Sequence, residues 1–227
     1  MLQWWADAGV DVMVDESPRD WLRPNKEAPG GFAPAAPAEP QNKLPDQLDL
    51  FRGHLRDSIS LPFASPAAPR VCPAGDPTAG LMILTDMPAA EDCAAGTLLS
   101  GNVGKLFDRM LAAIGRDRNS IYLASLSCIR SPDGRFTSEA AMQCTTLARH
   151  HIGLAGPRAL LLFGDACSKA LLGLGMAQAR GRWHEVSTHA GPIRTIVSLP
   201  PSFLVNQPAY KGHAWADLLM LMEGLKQ

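Results

Sequence analysis

Four short apolar runs, each separated from the next by a helical stretch, constrain the fold of this chain more than any other feature. "GLMILTD" (80–86), "SIYLASLS" (120–127), "RALLLFGD" (158–165) and "PIRTIVSLP" (192–200) are apolar through their centres, as strands covered on both faces are. Residues 103–115 carry apolar side chains at helical spacing and end at Gly115. Residues 138–156 form a second helix that Ser138 can cap and Gly156 can end, a short helix follows 165, and 210–225 closes the chain. Strands that alternate with helices require right-handed crossovers, so the predicted fold is a three-layer α/β/α domain with a central parallel sheet. Functional residues are expected just past the strand ends, in 85–101, 125–135, 164–168 and 199–207.

The domain predicted over 80–227 has a long lead-in. Residues 26–46 are rich in Pro, Ala and Gly without apolar period and read as a linker. Ahead of it, residues 1–25 form an arm bearing Trp4, Trp5 and Trp21, suited to docking on the main domain or on a protein partner. Residues 47–60 fit one more helix, and the rest of 47–79 reads as loop.

No apolar run approaches the length of a membrane span, and the acidic amino terminus lacks the basic start of a secretory signal. Five irregularly spaced cysteines do not make a disulfide framework, which points to a reducing, cytoplasmic setting. The net charge of −1 is unevenly spread. Residues 1–76 hold 7 Lys and Arg against 11 Asp and Glu, and residues 77–227 hold 14 against 11. A mildly basic carboxy-terminal part permits a phosphate-binding face.

Local motifs narrow the chemistry. No glycine-rich phosphate loop follows the first strand, which argues against nucleotide binding. Cys167 in "FGDACSKALLG" reads as a small packed residue, and Cys93 follows two acids that would raise its pKa. His150 and His151 are adjacent on a helix, so at most one faces inward, and both read as structural or solvated. More telling is "ILTDMPAAED" (83–92), where a strand ends in a turn carrying Asp86, Glu91 and Asp92.

Taken in order, these pieces resemble the uracil-DNA glycosylase superfamily, nearest its iron–sulfur branch, over residues 80–227. The family's first loop, Gly-Glu-x-Pro-Gly with further acids, is occupied here by Thr85-Asp86-Met87-Pro88-Ala89-Ala90-Glu91-Asp92, without its glycines, and the family's Gly-x-x-Gly helix start is matched by "SGNVGKLFDRML". "LSCIRSPDGRFTSEA" stands where the family has Arg-Pro-Pro-Gly-Asn-Arg after the second strand. "PRALLLFGDACSKALLG" and "ARGRW" match closely, and "PPSFLVNQP" (200–208) occupies the final loop.

The resemblance implies hydrolysis of the N-glycosidic bond of uracil or another damaged base flipped out of DNA. It places Asp86 and Asp92 as the acids that orient water, and Pro88, Leu99, Ser125 and Pro200 around the base. Three of these positions depart from the family. Leu99 stands for a stacking Phe, Ser125 for the uracil-reading Asn, and Pro200 for the His that stabilises the departing base. Uracil excision is therefore expected to be weak or lost, the alternative being a non-catalytic DNA- or protein-binding module. Asp86 can equally cap local backbone amides.

Arg130, Arg135, Arg180 and Arg182 are the expected phosphate contacts, or else bridges to neighbouring carboxylates. A four-iron cluster needs four thiolates. Only Cys128 and Cys144 match the family's second pair, and no Cys-x-x-Cys lies upstream. The cluster is expected to be lost, and the expected partner is DNA, bound by a monomer.

Overall fold

A computed structural model describes residues 44–226. The arm with Trp4, Trp5 and Trp21, and the linker to residue 43, lie outside the described residues. In chain order the elements are α1 (Leu48–Asp57), β1 (Ala74–Gly75), β2 (Leu81–Thr85), α2 (Ala90–Ala95), α3 (Gly101–Ala113), β3 (Tyr122–Ser125) and α4 (Ser138–Ala155). There follow β4 (Ala159–Phe163), α5 (Asp165–Leu172), α6 (Met176–Ala179), β5 (His184–Thr188), β6 (Gly191–Ser198), α7 (Pro201–Asn206) and α8 (Lys211–Lys226).

The sheet runs β1-β3-β2-β4-β6-β5, with β3, β2, β4 and β6 parallel and the two edge strands antiparallel. The four parallel strands are those read from the sequence. Every residue of β2 and β4 is buried. Leu81, Ile83, Leu161 and Phe163 pack with Phe107 of α3 and Leu218 of α8 on one face. Met82, Leu84, Leu160 and Leu162 pack with Cys144 and Ile152 of α4 and Leu171 of α5 on the other. That alternation is the period-two signature of a strand, here with both sides apolar.

Beneath α4 lies one polar pair. Tyr122 Oη and His151 Nε2 are 2.9 Å apart in the interior, with Phe51 of α1 against the imidazole. Burial pushes His151 down to about 3, aided by the charges of Arg52 and His150. His151 is thus the inward member of the His150–His151 pair. His150 reaches the other way, 2.8 Å from the carbonyl of Pro45. Leu44 packs with Phe51 and Leu147. The described end of the expected linker, residues 44–46, therefore lies against the fold beside α4.

Five elements go beyond what the sequence predicts: β1, α2, α6, β5 and α7. β5 buries only Val186, so it offers no readable alternation. Residues 90–92 of the expected turn are the first turn of α2, and the final loop contains α7, with Pro201 at its first position. Both helices are six residues long, too short for an apolar period to register.

Candidate active site

Parallel strands bring β2, β3, β4 and β6 to a common carboxyl edge, with Thr85 opposite Ser125 and Phe163 opposite Ser198. Successive connections from β2 lead first to β3 on one side and then to β4 on the other. The crevice between β2 and β4 is therefore the switch point at which an open α/β sheet receives ligands. Asp86 occupies it. Its Oδ1 accepts from the backbone N–H of Cys167 at 3.2 Å, in the first turn of α5. Its carboxylate lies over Gly164, where a Cβ would come within 2.8 Å of Oδ2 and the backbone has φ +92°. Only glycine leaves room there for the acid.

Burial pushes the Asp86 carboxyl above its ordinary value, and nearby Asp165 adds to the rise. The hydrogen bonding to Cys167 offsets part of it. A partly buried acid of raised basicity, at a strand end, can accept a proton from water or steady a cationic sugar. Cys167 itself is fully buried, and its thiol is pushed well up, so it packs rather than attacks.

Asp92 does something different. It is 4% exposed, and Oδ1 accepts from both the N–H and the hydroxyl of Ser100 at 2.7 Å while Oδ2 accepts from the Ala89 N–H at 3.0 Å. Its carboxylate is spent on pinning α2 to the start of α3. Glu91, one residue before it, is exposed.

Leu99 is buried in the core cluster beside Phe107 and holds a left-handed backbone, φ +52°, that leucine seldom adopts. Arg118 secures the strained turn by donating to the carbonyls of Leu98 (2.8 Å) and Leu99 (2.6 Å) and by pairing with Asp108. Ser125 borders a small cavity of about 20 Å³ shared with Ser127, Cys128, Cys144 and His151, and Pro200 caps α7. Pro88 is buried, and its carbonyl accepts from Arg130 Nη1 at 3.1 Å, which ties the first loop to the second.

The open groove that Asp86 joins is walled by α4, α5 and the 130–136 loop. Arg130 and Arg135 line it; Leu99, Ser125, Pro200 and Asp92 do not. Of the residues singled out from the sequence, Asp86 shares this groove with Arg130 and Arg135; Phe136, Met142, Asp165 and Lys169, which complete the wall, are not among them. Of these, only Asp165 lies in a segment expected to be functional, the turn after β4.

Arg180 is no free cation. Its Nε and Nη2 lie 2.9 and 2.8 Å from Oδ2 of Asp217, a residue 2% exposed that also accepts from Ser198 Oγ at 2.7 Å. This bridge fastens the segment after α6 to α8 and to the end of β6. Breaking a buried pair strands the surviving charge, so Asp217→Ala is expected to lose about 3–5 kcal/mol of stability. Urea denaturation of the purified variant measures this, and a loss below about 1 kcal/mol would show that solvent already satisfies Arg180. Arg182 is exposed and donates to the carbonyl of Gln178.

All five cysteines are free thiols. Cys128 donates to the carbonyl of Leu55 at 3.4 Å, and burial pushes its thiol up to about 12 and that of Cys144 to about 11. Leu55, Leu61 and Phe51 pack around Cys128. Cys93 packs against the core on the opposite sheet face, and Cys167 lies behind Asp86. Among the described residues no three His, Cys, Asp or Glu side chains converge as a metal site requires.

The family model of the uracil DNA glycosylase superfamily matches residues 72–219, more than half the chain and all of the strand-end edge. The chain belongs to the uracil DNA glycosylase superfamily. Among curated relatives, the type-4 uracil-DNA glycosylase of Pyrobaculum aerophilum is 23% identical over 157 residues, covering 66% of this chain and 80% of that protein. The type-4 uracil-DNA glycosylase of Archaeoglobus fulgidus is 22% identical over 162 residues, covering 67% and 81%. No helix among the described residues is long and apolar enough to cross a membrane.

Proposed function

We propose that this superfamily member hydrolyses the N-glycosidic bond of a damaged base in DNA, with activity on uracil weak or lost, and that it works without an iron–sulfur cluster. The observation that carries the reading is Asp86, whose partly buried carboxylate sits at the sheet's switch point against the first turn of α5. Water oriented by Asp86 would attack the sugar carbon as the bond to the base breaks, and the base would leave with the bonding electrons. Arg130 and Arg135, on the same groove, are the proposed phosphate contacts.

Weak uracil activity is expected from the groups replaced at the three positions that the resemblance, rather than the groove lining, places around the base. Serine at 125 lacks the paired donor and acceptor of an amide, and proline at 200 cannot stabilise an anion. Leu99 offers no ring, and base–aromatic stacking is worth roughly 1–3 kcal/mol. A second reading, a binding module without catalysis, draws support from Asp92, whose carboxylate is committed to the loop backbone and Ser100.

Oligonucleotides carrying uracil, hypoxanthine or xanthine separate the two. The expected result is slow or undetectable uracil release, measurable release of at least one other base, and loss of that release in Asp86→Ala. Efficient uracil excision, or an absence of excision on all three, would overturn the catalytic reading as stated.

A further inference from the structure

The groove beside Asp86 has a composition that the excised base alone does not explain. Its floor is built from Leu126, Phe136, Ala141, Met142, Ala166 and Ala170, contributed by the strand end, the following loop and the facing sides of α4 and α5. Met142 is 66% exposed along this groove, where it presents apolar surface to a ligand. Phe136 leans on Phe63 with ring centroids 6.1 Å apart, which steadies it at the edge of the groove while leaving it half-buried.

The polar side chains along the groove are partnered within the fold. Thr145 and Thr146 donate their hydroxyls back to the carbonyls of Ala141 and Met142, at 2.6 and 3.2 Å. Lys169 is paired with Asp165 at 2.6 Å. The rim, by contrast, is cationic. Arg130 commits one N–H to Pro88, and exposed Arg135 stands beside it.

We infer that this groove binds a run of single-stranded DNA next to the reacting nucleotide, with bases on Phe136 and Met142 and phosphates on Arg130 and Arg135. The inference rests on the reading of the chain as a protein that acts on DNA. Two features favour a single strand over a duplex. An apolar floor gains nothing from duplex DNA, whose base faces are already stacked inside the helix and whose phosphates face out. A floor whose threonine hydroxyls are internally bonded offers few groups to read base edges, so binding should be tolerant of sequence, as stacking platforms are. The negative charge of the phosphates matches the rim.

Fluorescence anisotropy with a labelled, undamaged oligonucleotide tests this on the full chain. A mixed-sequence single strand is expected to bind at least about tenfold tighter than the same sequence as a blunt duplex. Removing one stacking surface should weaken the single-strand complex about five- to a hundredfold. Phe136→Ala is the direct variant, and Met142→Glu, at an exposed position, keeps the test valid should the first disturb the 130–136 loop. Met142→Glu should reduce single-strand affinity far more than duplex affinity. Equal affinity for the two DNA forms, or single-strand affinity moved by less than twofold in both variants, would overturn the assignment. Because the oligonucleotides carry no damaged base, a failure of excision leaves this result untouched, and failure here leaves the excision result standing.

Discussion

Asp86→Asn is expected to slow excision of whichever base the protein releases by about 10²–10⁴-fold, the usual contribution of a positioned general base. Asparagine keeps the shape of the side chain and an oxygen able to accept from the Cys167 N–H, so the variant should remain folded. The pH dependence supplies the sharper signature. The folded carboxyl is raised above its ordinary value, chiefly by burial. If Asp86 acts as the base, excision should climb with pH through that raised value and level off once the carboxylate is ionised. In Asp86→Asn the climb should vanish. A variant within about threefold of the parent, or one that retains the same acidic limb, would place the base elsewhere.

The sign of the stability effect at Asp86 is the opposite of that for a salt-bridged acid. A raised folded pKa means the native state holds the proton more readily than the unfolded chain. Its contribution is therefore present at low pH and lost as pH rises through the folded value. At neutral pH the ionised carboxylate is a cost that the packing of β2 and β4 sustains. Active-site acids commonly carry such a cost.

His151 works the other way, and its effect on the fold is the larger. Held neutral down to about 3 while the unfolded chain protonates near 6.5, it makes the native state lose stability as pH falls through that window. At about 1.36 kcal/mol per pH unit, acidification from pH 7 to 4 should cost about 3 kcal/mol through this residue. The comparison chain is Tyr122→Phe with His151→Leu, which removes the buried pair together and leaves neither partner stranded. Urea midpoints for the two chains should diverge as pH falls, with the parent losing more. Contributions from Asp86, Asp217 and His54 are common to both and cancel. Parallel pH profiles would show that His151 takes up a proton within the fold.

Much of this architecture is legible in the amino-acid sequence alone. Continuous apolar runs such as "RALLLFGD" announce strands buried on both faces, because burial on two sides erases polar alternation. Helices α3, α4 and α8 announce themselves by length and spacing. The edge strand β5 does not, since a strand with one buried residue carries no period. Helices α2 and α7 are likewise silent, being six residues each and framed by Pro, Ala and acids that read as turn.

The site divides along a similar line. Parallel topology alone places Asp86, Ser125, Asp165 and Pro200 at one edge, because every parallel strand ends on the same side. Which of them faces the groove depends on side-chain direction and on what lies opposite, and neither is local in sequence. Asp86 reaches the groove because Gly164, far along the chain, has no side chain in its way. Asp92 turns inward because Ser100 offers it two donors. Arg180 and Arg135 look equivalent as residues, yet buried Asp217 holds the guanidinium of the first, while the second is exposed beside the surface carboxylate of Asp133. Composition and period thus determined the layers and the carboxyl edge they share. Only the tertiary structure decided which acid faces the groove, which arginine is free to meet a phosphate, and where an apolar floor lies open, because each depends on a partner brought in from a distant stretch of chain.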